Sequence, residues 1–296
     1  LKTDIFLTEE KIMGNLSVTN PNYNYTGNAV SAGVDISSTD MTETSGYKSS
    51  NTGFSIGTEF EQYRDFFLNP ALSLSFEDIE VQDSASAALK KMDGSFTNLD
   101  FTYGITADKR NQRFNPTDGY RAKFSQKIPL IIDSSDIVNG LDVSKYHTFS
   151  DDLVGAIKFY GRTIHGLKGE DVRLTNRLFL PQSKLRGFNT RRVGPKDDED
   201  WIGGNYVTAL GFEAQLPNIL PESTRTDVAV FLDTGNVWSV DYSDSIDDTN
   251  MIRSAVGITA NMYTTIGPLS FTVAQDLASS VNDDTQKFNF RLGTSF

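Results

Sequence analysis

The chain has 296 residues, no cysteine and a formal net charge of −12. This acidic balance argues against nucleic acid as a partner, and the lack of cysteine excludes a disulfide scaffold and thiolate metal sites. No run approaches the roughly 18 consecutive apolar residues of a transmembrane helix. The mean hydropathy of −0.34 still permits a membrane protein, because a strand of a membrane β-barrel needs only about 9–11 residues and half of them are polar.

Segments of alternating polarity follow one another along nearly the whole chain, as expected for β-strands, whose side chains point alternately to two faces. We predict about 14 strands, the first of them incomplete, near residues 2–8, 11–20, 27–38, 51–63, 70–81, 95–106, 119–130, 142–152, 153–165, 204–216, 225–238, 251–263, 267–277 and 284–296. Residues 166–203 interrupt this rhythm. A loop of that length in a compact fold is usually functional or disordered.

The last predicted strand, 284–296, shows the alternation most clearly. One face carries apolar residues and ends on Phe296, while the other carries polar or small residues such as Lys287 and Gly293. A soluble β-sandwich shares this pattern. Three features favour a transmembrane antiparallel β-barrel instead: strands of about 10–13 residues rather than about 5–6, short turns alternating with long polar loops, and aromatic residues near strand ends.

Several short motifs lie in and around the long loop. They are Leu-Arg-Gly-Phe at 185–188, Val-Gly-Pro-Lys at 193–196, Gly-Gly-Asn at 203–205, Phe-Leu-Asp-Thr-Gly-Asn-Val-Trp at 231–238, and the stretches 16–21, 108–110 and 115–121. In order and spacing this set resembles the BamA-type outer-membrane assembly factors and their wider POTRA-barrel (bacterial surface antigen) superfamily. The Arg-Gly-Phe tip is similar to that family's loop-six signature, with Leu185 where valine is more usual.

The resemblance covers essentially the whole chain and implies an all-β architecture. We expect a 16-stranded transmembrane antiparallel barrel with a lumen-directed loop, of which this chain carries about 14 strands. Residues 1–296 would be the outer-membrane barrel domain without its first strands, and the POTRA repeats and signal peptide would be absent. Because the family's lateral gate uses the first strand, such a fragment is expected to be inactive alone.

The resemblance also implies a function without covalent chemistry, so no enzyme and no cofactor is expected. The family folds and inserts β-barrel proteins into the bacterial outer membrane. Expected partners are unfolded outer-membrane proteins, BAM lipoproteins (mainly through the POTRA repeats), periplasmic chaperones, and lipid or LPS. A protein-secretion or translocation barrel of the same superfamily is the nearest alternative, and a passive porin is a further one.

The alternation predicts a docking site for Arg186. Glu213 and Asp233 fall on the polar face of neighbouring strands, and a guanidinium makes planar, bidentate bonds with carboxylates. In a partly dehydrated lumen this pairing would fix the loop tip to the barrel wall, with Gly187 and Gly235 allowing close backbone approach. Spacing alone leaves open that Arg186 is one more solvated charge. The resemblance favours docking, with Phe188 in the same tip.

The end of the chain has two compatible readings. The aromatic end of the last strand is an interfacial anchor, and it resembles the β-signal by which assembly machinery recognises a barrel's last strand. The residues of this expected signal are Phe288, Phe290, Leu292, Gly293 and Phe296.

Other chemistry finds little support in the sequence. His147 and His165 have no metal-ligand spacing, and His147 beside Thr148 or Ser150 is a weak basis for an outer-membrane lipase. Two acidic clusters, 197–200 and 241–248, lack EF-hand spacing and are interpreted as solvated loop tips.

Overall fold

The computed structural model describes residues 2–7, 11–85, 90, 92–132, 136–150, 153–169, 171–216, 219–243, 245–247, 249–264 and 267–292. The strands are β1 Lys2–Leu7, β2 Lys11–Asn20, β3 Ala29–Met41, β4 Tyr47–Tyr63, β5 Phe66–Leu68, β6 Ala71–Val81, β7 Gly94–Asp108, β8 Gly119–Ile132, β9 Asp136–Ser150, β10 Leu153–Gly166, β11 Lys196–Asp197, β12 Asp200–Trp201, β13 Tyr206–Gln215, β14 Thr226–Trp238, β15 Arg253–Thr264, β16 Gly267–Ala278 and β17 Phe288–Leu292. A short α-helix, α1, spans Thr42–Ser45. No helix in the described part of the chain is long and apolar enough to cross a membrane.

A single antiparallel sheet contains fifteen of these strands, and β11 and β12 form a separate hairpin. Within the sheet, β5 and β6 both pair with β4 and β7. They are one strand position interrupted at Asn69 and Pro70, because proline has no N–H to donate to a ladder. Counting them as one leaves fourteen positions, which agrees with the sequence prediction. The path runs from β1 to β17, and no ladder joins these two ends among the described residues.

Apolar side chains lie on the outside of this sheet. On β15 and β16, Ile258 is 52% exposed and Val273 is 60% exposed, whereas Ala255 and Thr259 on the opposite face are buried. The same inversion recurs along the strands at Leu16, Val18, Ile36, Phe54, Ile56, Phe76, Ile105, Leu130, Leu141, Ile157, Phe212, Leu232, Val256, Phe288 and Phe290. An apolar band this extensive is stable against lipid and not against water, so the fold is a transmembrane β-barrel.

Contacts between distant strands show that the sheet curls around a lumen. In the turn between β7 and β8, the Asn115 side-chain amide donates to the Asp227 carboxylate of β14 at 3.4 Å. The Tyr263 hydroxyl of β15 donates to the Asn115 side-chain oxygen at 3.1 Å. These strands are far apart in the sheet order, so only a curved sheet brings them together.

Several predicted strand boundaries differ from the structure by four residues or more, as at β4, which begins at Tyr47 rather than 51. Strand β9 begins at Asp136 rather than 142, since Asp136 is buried and accepts a hydrogen bond from the Asn176 side chain at 2.7 Å, which a sequence pattern does not reveal. Strand β17 covers Phe288–Leu292 rather than 284–296. Its last predicted residues, 293–296, lie outside the described part, and residues 284–286 pair with the long loop rather than with β16.

Candidate functional site

The long loop, residues 167–205, folds back into the barrel from the end of β10. At its base, Leu178 and Gly204 exchange two backbone hydrogen bonds of 2.9 Å each. A 3₁₀ turn at Leu174–Asn176 and the β11–β12 hairpin follow along its course. Farther along the wall, the Arg173 guanidinium donates to Glu77 of β6 at 3.4 Å. The loop is therefore tied to the barrel wall at β6 rather than lying free in solvent.

Arg186 at the loop tip contacts the inner wall through two carboxylates. Its Nε and Nη2 donate to the two oxygens of Asp233 at 2.7 and 2.9 Å, and its backbone N–H donates to the same carboxylate at 3.1 Å. Its Nη1 donates to Glu213 at 3.0 Å. The Asp233 side chain is 3% exposed and that of Arg186 is 13% exposed. This is the bidentate geometry in which a guanidinium discriminates best for carboxylates.

Two further side chains complete the cluster around Arg186. The guanidinium carbon lies 3.6 Å from the centre of the Phe231 ring, so the cation stacks on an aromatic face inside the barrel. Lys158 on β10 donates to the second oxygen of Glu213 at 3.2 Å. Two cations thus oppose two carboxylates in this cluster. Neither Phe231 nor Lys158 was predicted. Phe231 is two residues before Asp233 in β14 and therefore lies on the same inward face, which the alternation of the strand could have indicated.

Gly187 of the loop tip lies against two small wall residues, Ala255 and Ala274, that the sequence analysis missed. An added Cβ on Gly187 would lie 3.0 Å from the Ala274 Cβ and 3.1 Å from the Ala255 Cβ, and its φ of +92° favours glycine. Small residues occupy inward positions on four consecutive strands at Ala209, Gly211, Gly235, Ala255, Gly257 and Ala274. Their recurrence at inward positions of successive strands is the signal that could have located the docking surface.

The structure places the remaining predicted tip residues as follows. Phe188 is buried and packs in an apolar cluster with Leu185 of the loop and Val207 and Val237 of the wall. Gly235 lies against Leu180 of the loop, whose Cδ2 would be 2.9 Å from an added Cβ on Gly235. The docking surface therefore extends upstream of the predicted tip.

The Gly-Pro-Lys motif is held by a buried ion pair. Asp283, whose side chain has no exposed surface, accepts from Arg253 Nε at 2.9 Å and from the Gly194 backbone N–H at 3.1 Å. Gly194 has φ +103°, and an added Cβ would collide with Val237. Only glycine fits at this position. Its hydrogen bond to Asp283 connects the loop to the segment before β17.

The Gly-Gly-Asn motif closes the base of the loop around Arg177. This buried guanidinium donates to Asn205 at 3.0 Å and makes a short hydrogen bond to Asp241. Asp241 also accepts from the Val172 backbone N–H and the Asn205 amide, each at 3.0 Å. Burial opposes ionisation of Asp241, but these hydrogen bonds and the Arg177 charge outweigh it and hold the pKa of this carboxyl below its ordinary value.

This lowered pKa predicts a pH dependence of the loop base. A carboxyl with a depressed pKa stabilises the folded state above its ordinary pKa, and this contribution is lost as the pH falls through the folded-state value. We expect wild type to be more stable than Asp241→Asn at neutral pH and the difference to shrink below about pH 4. Unfolding followed by the fluorescence of Trp201 and Trp238 measures it, and a difference that grows on acidification would contradict the assignment.

The predicted β-signal is only partly described. Phe288, Phe290 and Leu292 are exposed on the outer face of β17, and the Phe290 ring centre lies 5.2 Å from that of Phe271. Gly293 and Phe296 lie outside the described residues.

The prediction that both acidic clusters are solvated loop tips was wrong, because Asp241 is bonded to Arg177 in the loop base and Asp197 accepts a hydrogen bond from the Tyr242 hydroxyl at 2.8 Å. No group of three or more His, Cys, Asp or Glu side chains that could hold a metal ion occurs in the described part of the chain. His147 contacts the Phe149 ring, and His165 contacts the Tyr206 ring.

Fold and site together define a class: a transmembrane β-barrel whose long loop is clamped inside its own lumen. The family comparison agrees with this class. Residues 7–296 match the Omp85 superfamily domain, so the chain belongs to the Omp85 superfamily. Its barrel is similar to those of the outer-membrane assembly factors named BamA.

Several known proteins are similar to the chain. The assembly factor BamA of Neorickettsia risticii is 28% identical over 84% of the chain and 34% of its own length, and the human sorting and assembly machinery component 50 homolog is 24% identical over 54% of the chain and 36% of its own length. The chain thus spans about a third of these relatives. The crystal structure of Haemophilus ducreyi BamA lacking POTRA domains 1–3 superposes with a TM-score of 0.82 at 21% identity, covering 95% of this chain and 61% of that one. CdiB from Acinetobacter baumannii superposes with a TM-score of 0.55 at 10% identity, covering 98% and 58%.

Proposed function

We propose that this chain is the barrel domain of an insertase that folds β-barrel proteins into the bacterial outer membrane. The carrying observation is the loop clamped inside the lumen by Arg186, Asp233 and Glu213. A passive porin needs an open lumen, which a docked loop obstructs. The similarity to a curated assembly factor over 84% of the chain supports the same function and favours it over a secretion barrel.

The physical basis of the function is an unpaired strand edge in lipid. Free backbone N–H and C=O groups cannot be satisfied by hydrocarbon, so an exposed edge is a strong template for another strand. In the described residues the ladder path ends at β1 and β17 without joining them. We propose that incoming barrel strands pair at the seam to which β17 belongs, and that the β-signal residues Phe288, Phe290 and Leu292 face lipid there.

The partners follow from this function. Unfolded outer-membrane proteins are the substrates, periplasmic chaperones deliver them, and BAM lipoproteins bind mainly through POTRA repeats of the complete protein. Lipid or LPS surrounds the apolar outer face. The reaction makes and breaks hydrogen bonds only and uses no cofactor.

Insertion can be measured directly with the complete protein. Reconstituted in liposomes with its accessory subunits, it is expected to accelerate folding of an urea-unfolded outer-membrane barrel, read from the heat-modifiable shift of the substrate on gels. The control is the same liposomes with a barrel of unrelated function. Release of a passenger protein across the bilayer without substrate insertion would point to the secretion alternative, and a large stable conductance would point to a porin.

A further inference from the structure

The end of the last strand is divided between the sheet and the loop. Pairing of β17 with β16 stops where Phe288 lies opposite Val273, and the next backbone hydrogen bond runs from the Ala274 N–H to the Lys287 carbonyl at 2.9 Å. Beyond this point, among the described residues, β16 has no partner on that side although it continues to Ala278. The chain before β17 therefore turns away from an available strand edge.

Residues 284–286 pair with the loop tip instead. The Gln286 N–H donates to the Gly187 carbonyl, the Asn189 N–H donates to the Asp284 carbonyl, and the Asp284 N–H donates to the Arg192 carbonyl, all at 2.9 Å. This is a short antiparallel ladder between 187–192 and 284–286. The ladder begins one residue after Arg186, so adjacent residues of the loop tip bind the barrel wall and the segment before β17.

Three side-chain amides lock the junction. Gln182 donates to Gln286 at 2.7 Å, and Asn289 donates to both Gln182 and Gln286 at 3.2 Å. Gln182 also donates to the Phe188 carbonyl at 3.1 Å. We call Gln182, Gln286 and Asn289 the amide cluster. It connects the loop, the diverted segment 284–286 and the first residues of β17 through hydrogen bonds.

The alternation of β17 explains why the segment is diverted. Phe288 and Phe290 face outward, so continuation of the strand would point Gln286 and Asp284 outward as well. The loop gives both side chains polar partners: Gln286 joins the amide cluster, and Asp284 accepts from Arg192 at 3.3 Å. These polar partners compete with the backbone pairing that β16 would supply.

We propose that residues 284–286 have two alternative partner strands, the docked loop tip and the outer part of β16, and that docking of Arg186 selects between them. With the loop docked, 284–286 is held in the lumen. With the loop undocked, it returns to β16 in the existing register, and Thr285 lies opposite Asp276. The amide cluster residues are positioning residues in this mechanism. The bearing of this switch on insertion rests on the proposed function, but the switch itself does not.

Hydrogen–deuterium exchange of the complete protein in lipid nanodiscs tests the proposal. In Arg186→Ala we expect the amides of 187–192 and 284–286 to exchange together at least tenfold faster, and the Asp276 amide to exchange more slowly because it gains a partner. Gln182→Ala should release 284–286 while Arg186 stays docked. The matched control is Gln126→Ala, which removes an amide from a similar cluster with Tyr103 and Asn139 on β7–β9 and should change neither segment.

Two results would overturn the proposal. One is unchanged protection of 284–286 in both Arg186→Ala and Gln182→Ala. The other is release of 284–286 without slower exchange at Asp276, which would mean that β16 is not the alternative partner. Insertion by Arg186→Ala is measured separately. Faster exchange with normal insertion would support the switch but show that insertion does not depend on it. Lost insertion with unchanged exchange would support the proposed function and overturn the switch.

Discussion

Replacement of Arg186 by alanine in the complete protein should abolish most insertion activity while the barrel still forms. The substitution leaves Asp233 buried without its cation, and breaking a buried pair in this way costs about 3–5 kcal/mol. Since each 1.4 kcal/mol or so is a factor of ten in an equilibrium constant, the equilibrium constant for docking should fall by about a hundredfold or more. We expect the insertion rate to drop by about tenfold or more in the liposome assay.

Matched variants separate docking from charge. Arg186→Lys keeps the cation but not the planar fork, so it should be intermediate. Asp233→Asn should be more harmful than Glu213→Gln, because Asp233 accepts three of the four hydrogen bonds from Arg186. Arg64→Ala removes a guanidinium that is 95% exposed and should have no effect. Wild-type insertion by Arg186→Ala, in a barrel that folds normally, would show that the docked loop has no role in assembly.

Strand positions and lumen-facing residues were predictable because membrane barrels impose a strict two-residue period. Glu213 and Asp233 could be placed on one wall from parity alone, and the structure puts them on adjacent strands with Gly211 opposite Asp233. Register, however, depends on turn lengths and bulges that parity does not contain. Lys158 could therefore not be matched to Glu213 before the pairing of β10 with β13 was known.

The interior of the long loop could not be predicted from local sequence. Its conformation is set by partners far away in the chain, as in the contact of Gly194 with Asp283 and Val237. The diverted segment 284–286 shows the same limit. The alternation of β17 predicts a strand there, but the outcome depends on a competing partner, the loop tip, that no short-range pattern identifies.

Replacement of Asp283 by alanine should strongly lower the stability of the barrel, and the neighbouring Asp284 provides a matched control. Asp283→Ala would leave Arg253 buried and uncompensated, since the side chains of Arg253 and Asp283 are 5% and 0% exposed. It would also remove the acceptor for the Gly194 and Ser280 backbone N–H groups, at 3.1 and 2.6 Å. The loss of one partner from such a pair costs about 3–5 kcal/mol, and orphaned N–H groups add to it.

The neighbouring substitution Asp284→Ala should cost far less. Its carboxylate is 38% exposed and pairs at 3.3 Å with Arg192, which is 37% exposed, and solvent-screened pairs of this kind contribute about 0–1 kcal/mol. We expect a large drop in the unfolding midpoint for Asp283→Ala, a small one for Asp284→Ala, and an intermediate one for Asp283→Asn, which keeps an acceptor oxygen. Heat-modifiable gel shifts across a temperature series measure all three. Equal midpoints for the two alanine variants would mean that the Arg253–Asp283 pair does not hold the Gly-Pro-Lys motif.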